Sequence, residues 1–496
     1  MDPCMPNGFS TNGGQTQNPY GPFDTSGSSS GSAVSVAADL TTVSVGTETQ
    51  GSIIEPAISN SVVALKPTKG LVSTDYVIPL LPFQDVPGPM GRTVTDVAVL
   101  LGALTGVDEN DFTTAATAEL AGVNFTQYLN AESVAGVRVG VPVWNDEAFA
   151  DYFDQFDITD ETEQANLRET LSTLDEDAQA VIDALTAAGV TVVEIPTSAV
   201  PGLSSSVGPL LEFGFQQAID QFLAGLGDEA PVASLEEIAA FNNEDLAKRA
   251  PYGQGYLQGS ANTTITAAEF ADQQQLANGS ARNAIDVFLE NYDLDLVASK
   301  LGQAYAPAGY PALTVPSGYA EDGSPLGTVF MGPRLSEPQL LAVGYAYEQA
   351  TQARVAPDLE ATMELIATMQ ESGVPVTEDA VSEVDAGPAE GDDLGATLGN
   401  LSYDGLFPDG PITLVDGYAA YDDGSSGTPF VELMAPLIAS SDLDGDGSED
   451  AVSLLRDHSS GSGTFVYPVS YTHLRAHETM TGIAYAVFGL KRGGGG

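Results

Sequence analysis

The spacing of apolar and polar positions predicts helices and strands that alternate over more than 300 residues. Residues 93–104 (TVTDVAVLLGAL) repeat apolar side chains at helical intervals, with Thr93 at the N-cap position. Residues 136–143 (GVRVGVPV) alternate with the two-residue period of a strand. Residues 175–195 predict a helix, a stop at Gly189 and a following strand.

Shorter elements of the same kind lie before and after these segments. Residues 32–40 predict a short helix, residues 41–45 a strand and residues 46–52 (GTETQGS) a loop. A helix-and-strand unit is predicted at 294–319, and a further helix at 336–353. Alternating strands and helices are typical of α/β proteins, so we expect a mostly parallel or mixed sheet.

The composition divides the chain into four parts. Residues 1–375 form the predicted α/β domain, and residues 376–398 have the Glu, Asp, Gly and Ala content of an acidic linker. Residues 399–468 contain short strand-like pieces between turn residues, which predict a small, mainly β domain. Residues 469–496 look like a translated sequencing adapter and are left out of the fold prediction.

The charge balance is extreme and limits the partners. The chain has 15 Lys plus Arg against 69 Asp plus Glu, a formal net charge of −54. Such a surface repels nucleic acid and anionic membranes, and salt relieves its self-repulsion. We therefore predict a halophilic or high-salt source, with a generally acidic secreted protein as the alternative. The sequence predicts no membrane span, and it leaves the oligomeric state open.

The N-terminus shows neither a charged segment nor an apolar one of the kind found in signal peptides. We expect a secreted or cell-surface location, with the signal not present in this chain. Cys4 is the single cysteine, so an intrachain disulfide is excluded.

The histidines restrict the choice of catalytic base. His458, His473 and His477 all follow the large domain, so residues 1–457 contain no imidazole. A Ser-His-Asp triad within those residues is therefore excluded. A serine enzyme of this composition would need a neutral lysine as its base.

Two Gly- and Ser-rich segments could carry a nucleophile. Residues 26–32 (SGSSSGS) and residues 46–52 (GTETQGS) allow tight backbone geometry and present hydroxyl and N–H groups. Consecutive N–H groups aimed at one point could form an oxyanion hole. By composition alone, the same segments are more typical of flexible linkers.

The order and spacing of the motifs resemble the amidase-signature family. Ser28 in SGSSSGS is followed 24 residues later by Ser52 in GTETQGSIIEPA, which is similar to the family pattern GGSSGGS…GTDTGGSIRxPA. The similarity continues through VVALKPTKGLVS, through residues 84–106 and 308–332, and through YAYEQATQAR at 345–354. It covers most of residues 7–360 and looks closest to the peptide-amidase branch. The resemblance implies the α/β amidase-signature fold, a large mixed, twisted β-sheet covered by helices on both faces.

The resemblance also implies a mechanism. Ser52 would attack the amide carbonyl, and Ser28, held in a cis peptide linkage, would relay a proton between Ser52 and a lysine. The backbone N–H groups of Thr49, Gln50, Gly51 and Ser52 would form the oxyanion hole. An acyl-enzyme would form and then be hydrolysed, with no cofactor. The implied substrate is a small-molecule or peptide amide, such as a peptide C-terminal carboxamide.

Several positions depart from the family pattern. The family's lysine lies further upstream of the bridging serine than the 27 residues that precede Ser28 here. Lys66 and Lys69 match the structural ALKPT segment, and Lys248 and Lys300 match no catalytic position. We therefore expect residues 1–496 to be inactive and a full-length parent to be active.

Two further departures lie beside the nucleophile. Gln50 replaces the Gly or Asp of many relatives, and Glu55 replaces a small or apolar residue. Both are expected to alter the substrate entrance.

Two alternative functions remain open. One is the A-type subunit of a glutamyl-tRNA amidotransferase, which uses the same serine pair. The other is a non-catalytic surface or binding protein that keeps an amidase-like scaffold.

The small β domain contains a candidate calcium loop. Asp442, Asp444, Asp446 and Asp450 form D-x-D-x-D-G-x-x-D, with Gly447 at the sharp turn. Ser453 occupies the position where an EF-hand has Glu, so the pattern resembles the loops of β-rich extracellular repeats instead. The predicted Ca²⁺ would be structural, and an acidic solvated turn is the alternative.

Overall fold

The computed structural model describes residues 5–155, 158–159, 161–201, 208–227 and 230–372, together with the strands between 402 and 471 whose bounds are given below. The chain divides into two compact units, one made of residues 1–203 and 209–379 and the other of residues 204–208 and 380–496.

An eight-stranded sheet forms the centre of the first unit, with strand order β3-β5-β4-β9-β10-β8-β6-β7. Strands β6 and β7 and strands β6 and β8 pair in parallel, whereas the other neighbours are antiparallel. The sheet is therefore mixed, which is one of the two arrangements expected from the sequence and the one that the family resemblance implies. The strands are β1 (Phe9–Ser10) and β2 (Gly14–Gln15), which form a separate hairpin, and β3 (Val43–Glu48), β4 (Val63–Lys66), β5 (Val86–Gly91), β6 (Arg138–Val143), β7 (Thr191–Pro196), β8 (Leu296–Val297), β9 (Ala312–Tyr319) and β10 (Pro325–Met331).

Helices cover both faces of this sheet. The α-helices of the described residues are α1 (Ser30–Ala37), α2 (Ile54–Ser59), α3 (Val94–Leu104), α4 (Asp146–Gln155), α5 (Glu161–Ala187), α6 (Gly208–Leu226), α7 (Leu235–Asn243), α8 (Leu246–Arg249), α9 (Gly255–Ala261), α10 (Ala267–Asn291), α11 (Tyr305–Ala308), α12 (Glu337–Thr351) and α13 (Leu359–Ser372).

Local sequence signals account for several boundaries. The Thr93 hydroxyl accepts the Asp96 N–H at 3.1 Å and the Asp96 carboxylate accepts the Thr93 N–H at 3.0 Å, so a capping box begins α3 as predicted. Gly189, with φ +85°, ends the turn that separates α5 from β7. Helix α5 begins at Glu161, well before the predicted 175, because the preceding residues have high helix propensity.

Strand β3 extends through Glu48 into the segment that was predicted to be a loop. It pairs with β5 along its whole length, with Gly46 opposite Gly88 and Glu48 opposite Val86. This long-range pairing overrides the local Gly-rich signal. The nucleophile segment therefore leaves the sheet only after Glu48.

Two apolar clusters hold the layers together. On one side, Val97 and Leu101 of α3 belong to the same buried cluster as Leu313 of β9 and Leu341 of α12. On the other side, residues of α2 and α10 join residues of β8 and β10, among them Ile54, Ile285, Val297 and Met331. These buried apolar side chains supply the main stabilisation of the unit.

The second unit contains β-strands. Strands β11 (Ser402–Tyr403) and β12 (Ile412–Thr413) pair with each other. An antiparallel five-stranded sheet has the order β13-β14-β16-β15, with β17 also paired to β16. Its members are β13 (Tyr418–Ala420), β14 (Phe430–Leu433), β15 (Ala439–Ser441), β16 (Asp450–His458) and β17 (Phe465–Tyr471).

Of the four candidate calcium ligands, the described residues include one. Asp442, Asp444 and Asp446 lie outside the described residues, and Asp450 begins β16. The calcium loop therefore stays a prediction. Among the described helices, none combines the length and apolar character needed to cross a bilayer.

Candidate active site

The two serines of the sequence motifs lie on neighbouring turns. Ser28 precedes α1, and the Gly27–Ser28 peptide bond is cis, as the resemblance implies. The next residue, Ser29, donates its backbone N–H to the carbonyl oxygen of Ser52 at 3.2 Å. The Ser28 residue is exposed and Ser52 is half-buried. Both residues are therefore accessible on adjacent pieces of backbone.

A buried hydroxyl fastens the first turn to the sheet. The Ser29 Oγ accepts the Thr47 N–H and donates to the Thr47 carbonyl oxygen, both at 3.0 Å. A Cβ on Gly46 would lie 3.0 Å from this Oγ and 2.7 Å from Met90 Cε. Only glycine at position 46 lets β3 approach α1 so closely.

A carboxylate holds the second turn from inside. The Glu48 Oε2 accepts the N–H groups of Ile53, at 2.8 Å, and Ile54, at 3.1 Å. Burial raises the pKa of the Glu48 carboxyl, because the charged form is desolvated. Gly51, with φ +79°, provides the left-handed residue that reverses the chain between Glu48 and α2.

A second carboxylate holds Thr49, one of the predicted oxyanion-hole residues. The Thr49 hydroxyl donates to Asp85 Oδ1 at 2.5 Å, and Gln84 Nε2 donates to the Thr49 carbonyl oxygen at 3.1 Å. Asp85 Oδ2 accepts the N–H groups of Leu80 and Leu81, both at 2.8 Å. Desolvation by burial raises the pKa of the Asp85 carboxyl.

These contacts bury the inner side of the nucleophile turn. Glu48, Asp85 and Gln84 are nearly or fully buried and occupy its inner side. Ser52 keeps access to solvent on the other side. The arrangement can present the Ser52 hydroxyl to a ligand on a braced turn, and a presented serine hydroxyl is the nucleophile that acyl transfer requires.

Four lysines lie in the described residues, and Lys66, Lys69 and Lys300 donate to protein oxygen atoms. Lys66 is fully buried and donates to the carbonyl oxygens of Tyr310, at 2.8 Å, and Pro67, at 3.2 Å. Desolvation lowers the Lys66 pKa to about 8, against the opposing effect of the Glu48 and Glu337 carboxylates.

The other three lysines differ in their surroundings. Lys69 donates to the Asp85 carbonyl oxygen at 2.9 Å. Lys248 is exposed at the end of α8. Lys300 donates to both carboxylate oxygens of Glu55, at 2.6 and 2.8 Å. The assignment of Lys66 and Lys69 to a structural segment agrees with these contacts.

Several supporting residues were missed at the sequence level. Glu48, Gln84 and Asp85 act through hydrogen bonds that depend on the pairing of β3 with β5, and local sequence patterns carry no signal for that pairing. Lys300 and Gln303 reach Glu55 across some 245 positions in the chain. The unusual Glu55 was the one available signal.

No metal centre accompanies the site within the described residues, since no group of three or more His, Cys, Asp or Glu side chains is arranged to hold an ion. The serine turns described above contain hydroxyl and peptide groups, and acyl transfer through these groups needs no cofactor.

The mixed eight-stranded sheet, with helices on both faces and paired serine turns, defines an α/β protein with the amidase-signature fold. The family model described as Amidase matches residues 4–297. The chain belongs to this amidase-signature family.

Known relatives agree with this membership. The crystal structure of an amidase family protein from Bacillus anthracis is 36% identical, with a TM-score of 0.61 over 72% of this chain and 66% of that one. The structure of a peptide amidase from Stenotrophomonas maltophilia is 33% identical, with a TM-score of 0.62 over 71% of this chain and 72% of that one.

Curated sequences extend the comparison. A probable amidase of Arabidopsis thaliana is 35% identical over 361 residues, which are 71% of this chain and 65% of the relative. The chain thus spans slightly less than two thirds of that relative's length. The A-type subunit of the glutamyl-tRNA(Gln) amidotransferase of Acinetobacter baumannii is 30% identical over 359 residues, covering 68% of this chain and 69% of the relative.

Proposed function

We propose that the protein is an amidohydrolase that cleaves carboxamides, including the C-terminal amide of peptides. The observation that carries the proposal is the hydrogen bond from the Ser29 N–H to the Ser52 carbonyl oxygen, which holds two accessible serines on adjoining turns. Family membership and the similarity to a peptide amidase support the same reaction.

In the acylation step, Ser52 Oγ forms a bond to the amide carbon while its proton passes to Ser28 and onward to a base. Backbone N–H groups of Thr49, Gln50, Gly51 and Ser52 stabilise the negative oxygen. The C–N bond then breaks, and the amine or ammonia leaves with a proton. Water attacks the resulting ester, releases the carboxylic acid and returns a proton to Ser52.

Ammonia release from a C-terminally amidated dipeptide tests the proposal, and it is measured with the longest product of the same reading frame because residues 1–496 are expected to be inactive. We expect Ser52→Ala to reduce the rate by about 10³-fold or more, because the nucleophile is removed. Ser28→Ala should also slow acylation severely. Ser32→Ala, which changes a half-buried α1 serine whose hydroxyl donates to the Val45 carbonyl oxygen, is the matched control and should retain activity. Turnover that survives in Ser52→Ala would contradict the assignment.

The same assay addresses the expectation that residues 1–496 lack their catalytic base. It is run with this chain and with the longest product of the same reading frame. Ser52-dependent turnover by residues 1–496 would refute that expectation, whereas turnover by the longer product alone would support it.

One relative favours a second candidate function, the A-type subunit of a glutamyl-tRNA amidotransferase. Such a protein would release ammonia from glutamine and pass it to a tRNA-bound substrate. We expect the peptide amide to be the better substrate, since the strongly acidic chain would repel tRNA. Glutamine hydrolysis that increases on addition of charged tRNA and partner subunits would favour the second function.

A further inference from the structure

A charged cluster lies against the residue that precedes the nucleophile. Lys300 Nζ contacts both oxygens of Glu55, and Gln303 Nε2 donates to Glu55 Oε1 at 3.0 Å. A Cβ built on Gly51 would lie 2.8 Å from Gln303 Nε2 and 3.2 Å from Glu55 Cγ. We call Glu55, Lys300 and Gln303 the ion-pair wall.

The ion-pair wall borders the open side of the nucleophile turn. The inner side is already occupied by buried groups such as Glu48 and Asp85. The side chains of Lys300 and Glu55 keep 29% and 27% of their exposure, so the wall reaches solvent as Ser52 does. A ligand bound at Ser52 would lie near this wall, because the wall contacts the preceding residue, Gly51.

The backbone under the wall has an unusual conformation. Leu301, Gly302 and Gln303 have consecutive positive φ angles of 43°, 60° and 64°. Leu301 is buried in an apolar cluster, which anchors the turn. Left-handed residues other than glycine are uncommon and concentrate at functional sites. This turn places Lys300 and Gln303 on the same carboxylate.

The charges of the wall cancel. Glu55 and Lys300 form a two-contact ion pair, so the wall presents no net charge to a substrate despite the overall charge of −54. Removing either partner would leave a half-buried unit charge close to Gly51. At the effective dielectric constant of such sites, an unpaired charge attracts or repels ligand charges strongly.

We propose that the ion-pair wall is a charge filter that selects amides whose acyl group is uncharged beside the scissile carbonyl. The proposal rests on the proposed function, since it names the substrate class of the same site. Glu55 and Lys300 are its specificity-determining residues, and Gln303 holds Glu55 in place. Neither Glu55 nor Lys300 takes part in bond making or bond breaking.

The test measures binding, so that it does not depend on turnover. Full-length Ser52→Ala protein is titrated calorimetrically with N-acetyl amides of norleucine, lysine and glutamate, which present neutral, cationic and anionic side chains. The same titrations are repeated after adding Lys300→Met, Glu55→Gln or both changes. Glu244→Gln, which breaks the exposed Arg249–Glu244 pair elsewhere, is the matched control.

We expect the parent to prefer the norleucine amide. Lys300→Met should improve the lysine amide relative to the norleucine amide by about 5- to 10-fold, because Glu55 becomes unpaired. Glu55→Gln should improve the glutamate amide to a similar extent. The double variant should return both ratios to within about twofold of the parent.

Ratios that change by less than about twofold in both single variants would overturn the charge filter, as would failure of every amide to bind. The proposed function is judged separately by the Ser52-dependent release of ammonia. Shifted binding ratios, without such turnover by the longest product of the reading frame, would leave the filter standing and refute the hydrolase. Ser52-dependent turnover with unshifted binding ratios would support the hydrolase and refute the charge filter.

Discussion

The backbone N–H of Ser29 lies 3.2 Å from the carbonyl oxygen of Ser52 and donates to it. This single bond joins the turn that carries Ser28 to the turn that carries the proposed nucleophile. Because the Ser29 hydroxyl also bonds twice to Thr47, the turn before α1 is fastened both to β3 and to the chain beyond it. The relative position of the two serines is thus set by buried polar contacts.

The first prediction concerns this fastening. Ser29→Ala removes two hydrogen bonds at a buried position and leaves the Thr47 peptide groups without them. We expect a loss of about 1–3 kcal/mol in the free energy of unfolding. The rate constant kcat should fall more than KM rises, because the serines lose their alignment.

Denaturant unfolding and ammonia release measure the two effects. Ser32→Ala is the control, since its half-buried side chain donates one bond to the Val45 carbonyl oxygen at 2.9 Å. That variant should change stability by less than about 1 kcal/mol. Equal effects of the two substitutions would show that the Ser29 contacts have no special role.

The second prediction concerns the support of Thr49. In Asp85→Asn, an amide N–H₂ replaces one oxygen and faces either the Thr49 hydroxyl or the N–H groups of Leu80 and Leu81. At least one of these donors loses its acceptor, so the protein should lose about 1–3 kcal/mol of stability. Acylation should slow because the N–H groups of the turn are less well fixed.

Stopped-flow acylation with an activated ester measures this effect. Asp272→Asn on the exposed surface of α10 is the control and should change stability by less than about 0.5 kcal/mol. An acylation rate in Asp85→Asn that matches the control would argue against the positioning role of Asp85.

The sequence predicts the local parts of this site better than the distant ones. Helix α3 begins after Thr93 and helix α5 ends before Gly189, as the local sequence predicts. The motif spacing likewise predicts that Ser28 and Ser52 lie on two turns that precede helices. The pairing of Lys300 with Glu55 depends on the spatial order of the strands in the sheet. Hydrophobic periodicity contains no information about that order, so the sequence pattern alone leaves a mostly parallel and a mixed sheet as alternatives.

The third prediction concerns the buried Lys66. Its pKa is about 8 in the folded protein, against an ordinary value of 10.5, because burial disfavours the charged amine. Between these two values the unfolded chain binds one more proton than the folded protein. The lysine therefore contributes stability that is present above the unfolded pKa and is lost as the pH falls through the folded pKa.

We expect the free energy of unfolding of the wild type, minus that of Lys66→Met, to increase from about pH 8 to about pH 10. The slope should approach about 1.4 kcal/mol per pH unit. Lys248→Met replaces an exposed lysine and should give no such slope. Urea unfolding at half-unit intervals of pH makes the comparison, and a flat Lys66 difference would contradict the low pKa.

The last prediction separates backbone strain from contact with the ion-pair wall. Gly51 and Gly189 have φ angles of +79° and +85°, so alanine at either position costs about 1–2 kcal/mol for the left-handed conformation alone. No atom lies within 4 Å of a Cβ on Gly189, whereas a Cβ on Gly51 would press on Gln303 and Glu55. Gly51→Ala should therefore lose more stability than Gly189→Ala and should also lose most of its acylation rate, because the displaced turn misaligns its N–H groups. Denaturant unfolding and ester acylation of both variants test this difference. If Gly51→Ala is acylated as fast as Gly189→Ala, the nucleophile turn tolerates displacement of the ion-pair wall and the prediction is wrong.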